Sequence, residues 1–306
     1  MQALSGRILA AYVTISLIWG STYLAIRIGV QHLPPALFGG IRFVVAGAIL
    51  LAIARLLRRR LPTRARDWRT AAVVGILLLA IGNGLVIWAE QTVESGFAAI
   101  LIVTGALWMA LFDAVIPGSD TRPTAKQVTG LLAGFGGTVL LVGDSLGTLG
   151  VAALWGAVAL VVASASWALG SIYSKRHPVD TPPYVHAALQ MLAGGTVLAL
   201  IGLLRGEAAS LTLSAAGVGA VLYLIVFGSI VAFTSYVYLL RHASPTFVGT
   251  SVYVNTVVAV LLGWVVLDEH VSLRTFGAMA IILGSVVWVR RETERPSPIA
   301  AVVERV

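Results

Sequence analysis

Residues 55–69 read RLLRRRLPTRARDWR, seven arginines in fifteen positions (Arg55, Arg58, Arg59, Arg60, Arg64, Arg66 and Arg69) set between two long apolar runs. A link this basic stays on the cytoplasmic side of a membrane, where Lys and Arg excess orients the neighbouring spans. The runs on either side, 36–57 and 71–89, are each long enough for a hydrocarbon core of ~30 Å. Working outward, further runs of this kind lie at 8–27, 96–116, 127–143, 150–173, 184–204, 217–240, 247–267 and 275–289. The expectation is therefore an all-α integral membrane protein with ten transmembrane helices.

The charges agree with that count. If 55–69 is inside and the number of spans is even, both termini are cytoplasmic. Arg7, Arg122, Lys126, Lys175, Arg176, Arg241, Arg290, Arg291, Arg295 and Arg305 then fall inside as well, which makes seventeen of the 21 basic residues. Arg27, Arg42, Arg205 and Arg274 are left at or near outer helix ends. An odd count would scramble this asymmetry.

Composition excludes a water-soluble protein, since 58% of the 306 residues are hydrophobic, 11% are charged and the mean hydropathy is +0.93. A globular fold could not cover so much apolar surface, whereas a lipid bilayer is the natural partner for it. The net charge of +8 belongs to cytoplasmic loops, and no nucleic-acid-binding motif accompanies it. Without cysteine, disulfides, thiolate metal sites and cysteine nucleophiles are excluded. The run from Ile8 has no small-residue cleavage site behind it and reads as a retained first helix, not a signal peptide.

Several function classes fall away on motifs. There is no G-x-x-x-x-G-K and no Gly-Lys dipeptide, so the chain carries no phosphate-binding loop for ATP. Lys126 and Lys175, the two lysines, sit at loop borders, which removes a mid-membrane Schiff base. Glu90, Glu94, Asp113, Asp268 and Glu269 fall at helix ends, so no pair of deep acids suggests an embedded hydrolase or an obvious proton relay. His186, near the start of its helix, reads as a satisfied polar residue. No catalytic residue, metal ligand set or cofactor is called for.

The chain matches itself. Gly20, Ser21 and Tyr23 recur 150 positions on as Gly170, Ser171 and Tyr173. Pro34, Pro35, Gly47, Leu50, Ile53 and Leu56 recur at a shift of 148 as Pro182, Pro183, Gly195, Leu198, Ile201 and Leu204. Gly130, Ala133, Gly137, Val139 and Val142 recur at a shift of 147 as Gly277, Ala280, Gly284, Val286 and Val289. Apolar helices match by chance, but three ordered blocks with nearly equal shifts are harder to produce that way. Residues 1–146 and 147–290 are thus expected to form two five-helix repeats, with 291–306 a polar cytoplasmic tail. Five is odd, so the second repeat enters the bilayer from the opposite face; inverted repeats of this sort are the architecture of secondary transporters.

The run Leu17-Ile18-Trp19-Gly20-Ser21-Thr22-Tyr23, then Leu33-Pro34-Pro35, Arg42-Phe43 and the Leu267-Asp268-Glu269 turn followed by Gly277 and Gly284, resembles the EamA family of the drug/metabolite transporter superfamily. The resemblance covers nearly the whole chain. It implies a ten-helix exporter of small metabolites in a bacterial cytoplasmic membrane, closest to the amino-acid exporters of the YddG type. Such proteins usually carry proline midway in the fourth and ninth helices, where this chain has Thr104-Gly105-Ala106 and Asn255.

Polar side chains at mid-depth should face the bundle interior. Asn83, Thr104 and Asn255 are cavity candidates on that ground, with interhelical hydrogen bonding as the plainer use of each. Trp19 and Trp167, in equivalent helices, and Tyr236 and Tyr253 lie deep enough to line a pathway or to pack the core. Trp108 suits either a cavity or the interfacial belt, which Trp68, Trp88, Trp155 and Trp288 fit better. Arg42 and Gln190 occupy equivalent positions; Gln190 joins the candidate set, while the shallow depth of Arg42 favours bracing over binding a carboxylate. Gly130, Gly134 and Gly137, and likewise Gly277 and Gly284, mark helix faces suited to close packing. The site so composed suits a small amphipathic metabolite, with amino-acid export first, another metabolite or multidrug exporter as the alternative, and a channel-like pore behind both.

Overall fold

The computed structural model describes residues 6–93, 95–117, 123–142, 151–267 and 273–294, and the described residues contain helices and no strand. The Leu267-Asp268-Glu269 turn beyond Leu267, Arg122, the boundary at 146 and the tail from 295 onward lie outside the described residues. The helices are α1 Gly6–His32, α2 Pro35–Leu56, α3 Ala65–Ala89, α4 Ser95–Val115, α5 Ala125–Val142, α6 Val151–Arg176, α7 Pro183–Leu204, α8 Ala215–His242, α9 Ser251–Leu267 and α10 Leu273–Glu294. Among the described residues, α1, α2, α3, α6, α7 and α8 contain stretches long and apolar enough to cross a membrane, and Leu101–Val115 and Phe276–Val289 are shorter apolar helices.

Helix starts follow from local chemistry. Pro35 and Pro183 open α2 and α7 at a position where the missing N–H is no loss. Thr124 and Gln127 cap α5 reciprocally: the Gln127 side chain accepts from the Thr124 N–H at 2.8 Å, and Thr124 Oγ1 accepts from the Gln127 N–H at 3.2 Å. Ser214 accepts from the Gly217 N–H at the start of α8. The amino end of α2 has a more distant cap, since the Leu37 N–H donates to Glu207 Oε2 at 2.8 Å.

The core is apolar, but so is much of the surface. Ile41, Val45, Ile49, Ile53 and Leu56 form an exposed stripe along α2, and Leu9, Val13 and Leu17 do the same on α1. Arg42, Glu90, Gln190, Ser229 and Asn255 are buried. Large contiguous apolar exposure with polar groups inside is what a lipid environment selects.

α2 packs along α7, α5 along α10, α4 along α6 and α1 along α9. The first crossing is close because glycine permits it: a Cβ on Gly40 would stand 2.6 Å from the backbone nitrogen of Ala199. In the second, Gly130, Gly134 and Gly137 face Val289, Ser285 and the Ile281–Ile282 pair. The matching expectation for Gly277 and Gly284 fails, because a Cβ at either would meet nothing within 4 Å. α4 runs unbroken through Thr104-Gly105-Ala106. A short helix, Pro245–Gly249, precedes α9, and Thr250 separates the two.

Two features have no sequence signature. α3 and α8 each contain a π-helical segment, Ile76–Asn83 and Leu224–Phe233. Widened turns release carbonyls from the helical ladder. The Leu77 carbonyl accepts from Ser166 Oγ at 2.8 Å, and the Gly228 carbonyl accepts from the Trp19 indole at 3.1 Å.

Candidate functional site

A cavity of about 110 Å³ lies between α1, α2, α3, α4, α6, α8 and α9. Of the residues singled out in the sequence, Trp19, Asn83, Trp167, Tyr236 and Asn255 stand on its wall. Their positions come from different helices, which is why depth along each helix was a useful guide.

The aromatic side of the wall is a hydrogen-bonded unit. Trp19 and Trp167 meet edge to face, with ring centroids 5.5 Å apart and planes at 88°, and Tyr236 lies 5.1 Å from Trp19. Ser171 Oγ donates to the Trp167 carbonyl at 2.7 Å, so the Tyr236 hydroxyl, 2.5 Å away, donates to Ser171 and accepts from Trp167 Nε1 at 2.8 Å. This chain of bonds holds Tyr236, 1% exposed, in one orientation. The cavity thereby gains a rigid apolar face.

The polar side differs residue by residue. In the orientation that satisfies its amide, Asn255 donates to the carbonyls of Ser251 and Ser16, both at 2.9 Å, and so ties α9 to α1. The side chain of Asn83, half-buried at the end of the α3 π segment, makes no hydrogen bond to protein among the described residues and is free to address a ligand.

Arg42, expected from its depth to act as a brace, also reaches the cavity. It lines the cavity and is 3% exposed. Its Nε donates to Ser229 Oγ at 3.0 Å, its guanidinium lies 4.7 Å from the Phe43 ring centroid, and its Nη1 has no partner. The expected brace is present, and it holds one edge of the guanidinium while another is left unsatisfied. Gly228 leaves room for this, since a Cβ there would come 2.8 Å from Arg42 Nη2.

The described acids also require a correction. Glu90, placed at a helix end and set aside, is fully buried, and neither carboxylate oxygen has a hydrogen-bond partner. The charges acting on it are those of Arg27 and Arg42, and Arg27 donates to its backbone carbonyl. The Glu90 carboxyl thus lies near Arg27 and Arg42 without an ion pair or side-chain hydrogen bond to either among the described residues.

Four sequence candidates do not line the cavity. Thr104 Oγ1 turns back to the Leu101 carbonyl at 2.5 Å. Trp108 stacks on Phe112 with centroids 5.7 Å apart. Tyr253 is fully buried and donates to the Leu131 carbonyl at 2.7 Å, joining α9 to α5. Gln190 is also fully buried, against the α3 backbone at Gly75. The wall holds instead several small or unremarked positions, among them Thr22, Tyr23, Gly105, Ser164 and Ser251. The Leu17–Tyr23 run, its partial recurrence at Gly170-Ser171-Tyr173 and the Thr104-Gly105-Ala106 departure pointed near Thr22, Tyr23 and Gly105, and nothing pointed to Ser164 or Ser251.

The profile of the EamA-like transporter family matches residues 5–143 and again residues 154–291. The chain belongs to the EamA-like transporter family. It is 41% identical over 288 residues to the uncharacterized inner membrane transporter YedA of Escherichia coli K12, covering 94% of this chain and 90% of that one. It is 22% identical to the uncharacterized transporter YoaV of Bacillus subtilis, over 91% of this chain and 95% of that one. A crystal structure with 25% sequence identity superposes with a TM-score of 0.78, covering 96% of this chain and 99% of the other. The EamA member described here is accordingly a multi-pass inner-membrane protein, and its family and relatives are transporters rather than enzymes.

Proposed function

We propose that this EamA-family protein exports small zwitterionic metabolites, amino acids foremost, by opening the central cavity alternately to the two faces of the membrane. The observation that carries the reading is Arg42 on the cavity wall with Nη1 unsatisfied. A guanidinium edge held in low dielectric is a strong receptor for a carboxylate. The Trp19–Trp167–Tyr236 face offers apolar contact to a side chain, and the Asn83 amide offers hydrogen bonds to an ammonium or a polar substituent.

In this reading the chain crosses the bilayer ten times, as inverted five-helix units at 1–146 and 147–290 with a cytoplasmic tail at 291–306. Support comes from helices of the first unit packing on helices of the second, α2 on α7, α5 on α10 and α1 on α9, and from π segments in both α3 and α8. Two near-equivalent units can exchange conformations about a shared site. The cavity's 110 Å³ favours a small metabolite over a drug-sized molecule, for which pockets run ~300–1,000 Å³.

The test is flux in liposomes containing purified protein, with a panel of labelled amino acids set against cationic dyes. Saturable movement of amino acids and none of the dyes supports the reading. Movement of dyes alone overturns it.

A further inference from the structure

A second cavity, about 210 Å³, lies where α6, α7 and α8 end or begin together, and Ser174, Lys175, Pro178, Val179, His186, Leu240 and Arg241 line it. Ser174 and Lys175 are in the last turn of α6, Arg241 is in the last turn of α8, and His186 is in the first turn of α7. Pro178 and Asp180, in the link between α6 and α7, are exposed. By the orientation of the 55–69 link, this is the cytoplasmic side.

Its polar groups are organised but incompletely used. Lys175 Nζ donates to the carbonyls of Ala243 at 3.0 Å and Arg241 at 3.4 Å, and Arg241 Nη1 donates to the Thr181 carbonyl. These bonds fix both cations against the cavity and occupy carbonyls that would otherwise repel an anion. Arg241 Nη2 is buried without a partner, and so is Nδ1 of His186, a residue only 2% exposed. The acids acting on these cations offset them weakly: Asp180, beside Arg241, is exposed, and Asp113, near Lys175, is held by Arg176 at 3.1 Å. The amino end of α7 adds a positive helix pole.

Two cations, a buried imidazole and a serine hydroxyl around one partly open pocket form a receptor for a tetrahedral oxyanion. We infer that the cavity between Lys175, His186 and Arg241 binds a phosphate group, separately from the transport cavity. Basic pockets between helices on the cytoplasmic side are where anionic lipid headgroups dock; a free phosphate offers the same chemistry.

The experiment measures thermal unfolding of the full chain in lipid nanodiscs. Phosphatidylcholine discs receive inorganic phosphate or, at equal ionic strength, chloride, and a second set contains phosphatidylglycerol without phosphate. The midpoint is expected to rise saturably, by about 3 °C at tenfold excess over Kd, in the phosphate arm if the ligand is free and in the phosphatidylglycerol arm if it is a headgroup. Arg241→Gln and Lys175→Gln should abolish the rise, and Arg241→Lys should restore part of it. No rise above the chloride control in either arm, or an equal rise in both glutamine variants, overturns the proposal. The wild-type arms decide the matter even if a variant fails to fold.

Discussion

The Trp167 indole donates to the Tyr236 hydroxyl at 2.8 Å, a bond between α6 and α8 that spans 69 residues of sequence. Trp19 lies against both rings and donates to the Gly228 carbonyl, so one face of the central cavity is built from three helices, two of them joined through the Tyr236 hydroxyl.

Tyr236→Phe keeps the ring and removes that hydroxyl, leaving the Trp167 N–H without its acceptor. A lost bond of this kind is worth about 1 kcal/mol. The expected result is a roughly fivefold weaker apparent affinity for substrate with normal membrane expression, read from concentration-dependent flux in liposomes. Unchanged affinity would show that the aromatic face does not meet the substrate.

Arg42→Gln removes the guanidinium while keeping a donor near Ser229. If Arg42 takes the substrate carboxylate, export of free amino acids should fall ~10-fold to 100-fold, equivalent to about 1.5–3 kcal/mol for a charged hydrogen bond. Amino-acid amides, which lack the carboxylate, should be carried equally by both forms. The comparison is made by parallel flux assays on one preparation. An equal loss for both substrates would return Arg42 to a purely structural role.

Gly40→Ala places a methyl group against the Ala199 backbone, where neither helix has a flexible atom to move. Overpacking of this kind costs about 1–3 kcal/mol, so a lower unfolding midpoint is expected. Gly277→Ala and Gly284→Ala, with open space around them, should leave the midpoint unchanged or raise it through better helix propensity.

The all-helical membrane architecture was legible because twenty-residue apolar runs and arginine-rich links are coarse signals that few folds share. The cavity wall was legible only by level. Trp19, Trp167 and Asn255 were found by depth in their helices, yet Tyr253, chosen on the same ground, points into a contact with α5, and Gln190, chosen as the repeat counterpart of Arg42, is buried where the α7 backbone meets Gly75 of α3. Depth gives height along a helix but not azimuth, and a helix that is apolar all round offers no polar stripe to supply it. The brace at Arg42 was legible but its place on the cavity wall was not, for the converse reason: six residues from a helix start suggests an interface, but Ser229 and Phe43 hold its head inward. Glu90, at the end of α3, is buried by neighbours from other helices that its own sequence context does not announce.

The cysteine-free sequence makes the inverted arrangement testable by single-cysteine labelling in intact cells and inverted vesicles. Arg58→Cys and Arg122→Cys should both react only from the cytoplasmic side, and Arg205→Cys only from the outside. Reaction of the first two from opposite faces would contradict the arrangement.

Counterflow puts the carrier mechanism itself to the question. Liposomes loaded with unlabelled amino acid are diluted into trace labelled amino acid, and the internal label is followed over time. Alternating access predicts a transient overshoot of internal label above its external concentration, because each outward trip of unlabelled substrate returns the site for an inward one. A monotonic approach to equilibrium without overshoot, at a rate indifferent to internal substrate, would mean a continuous pore and would contradict the account.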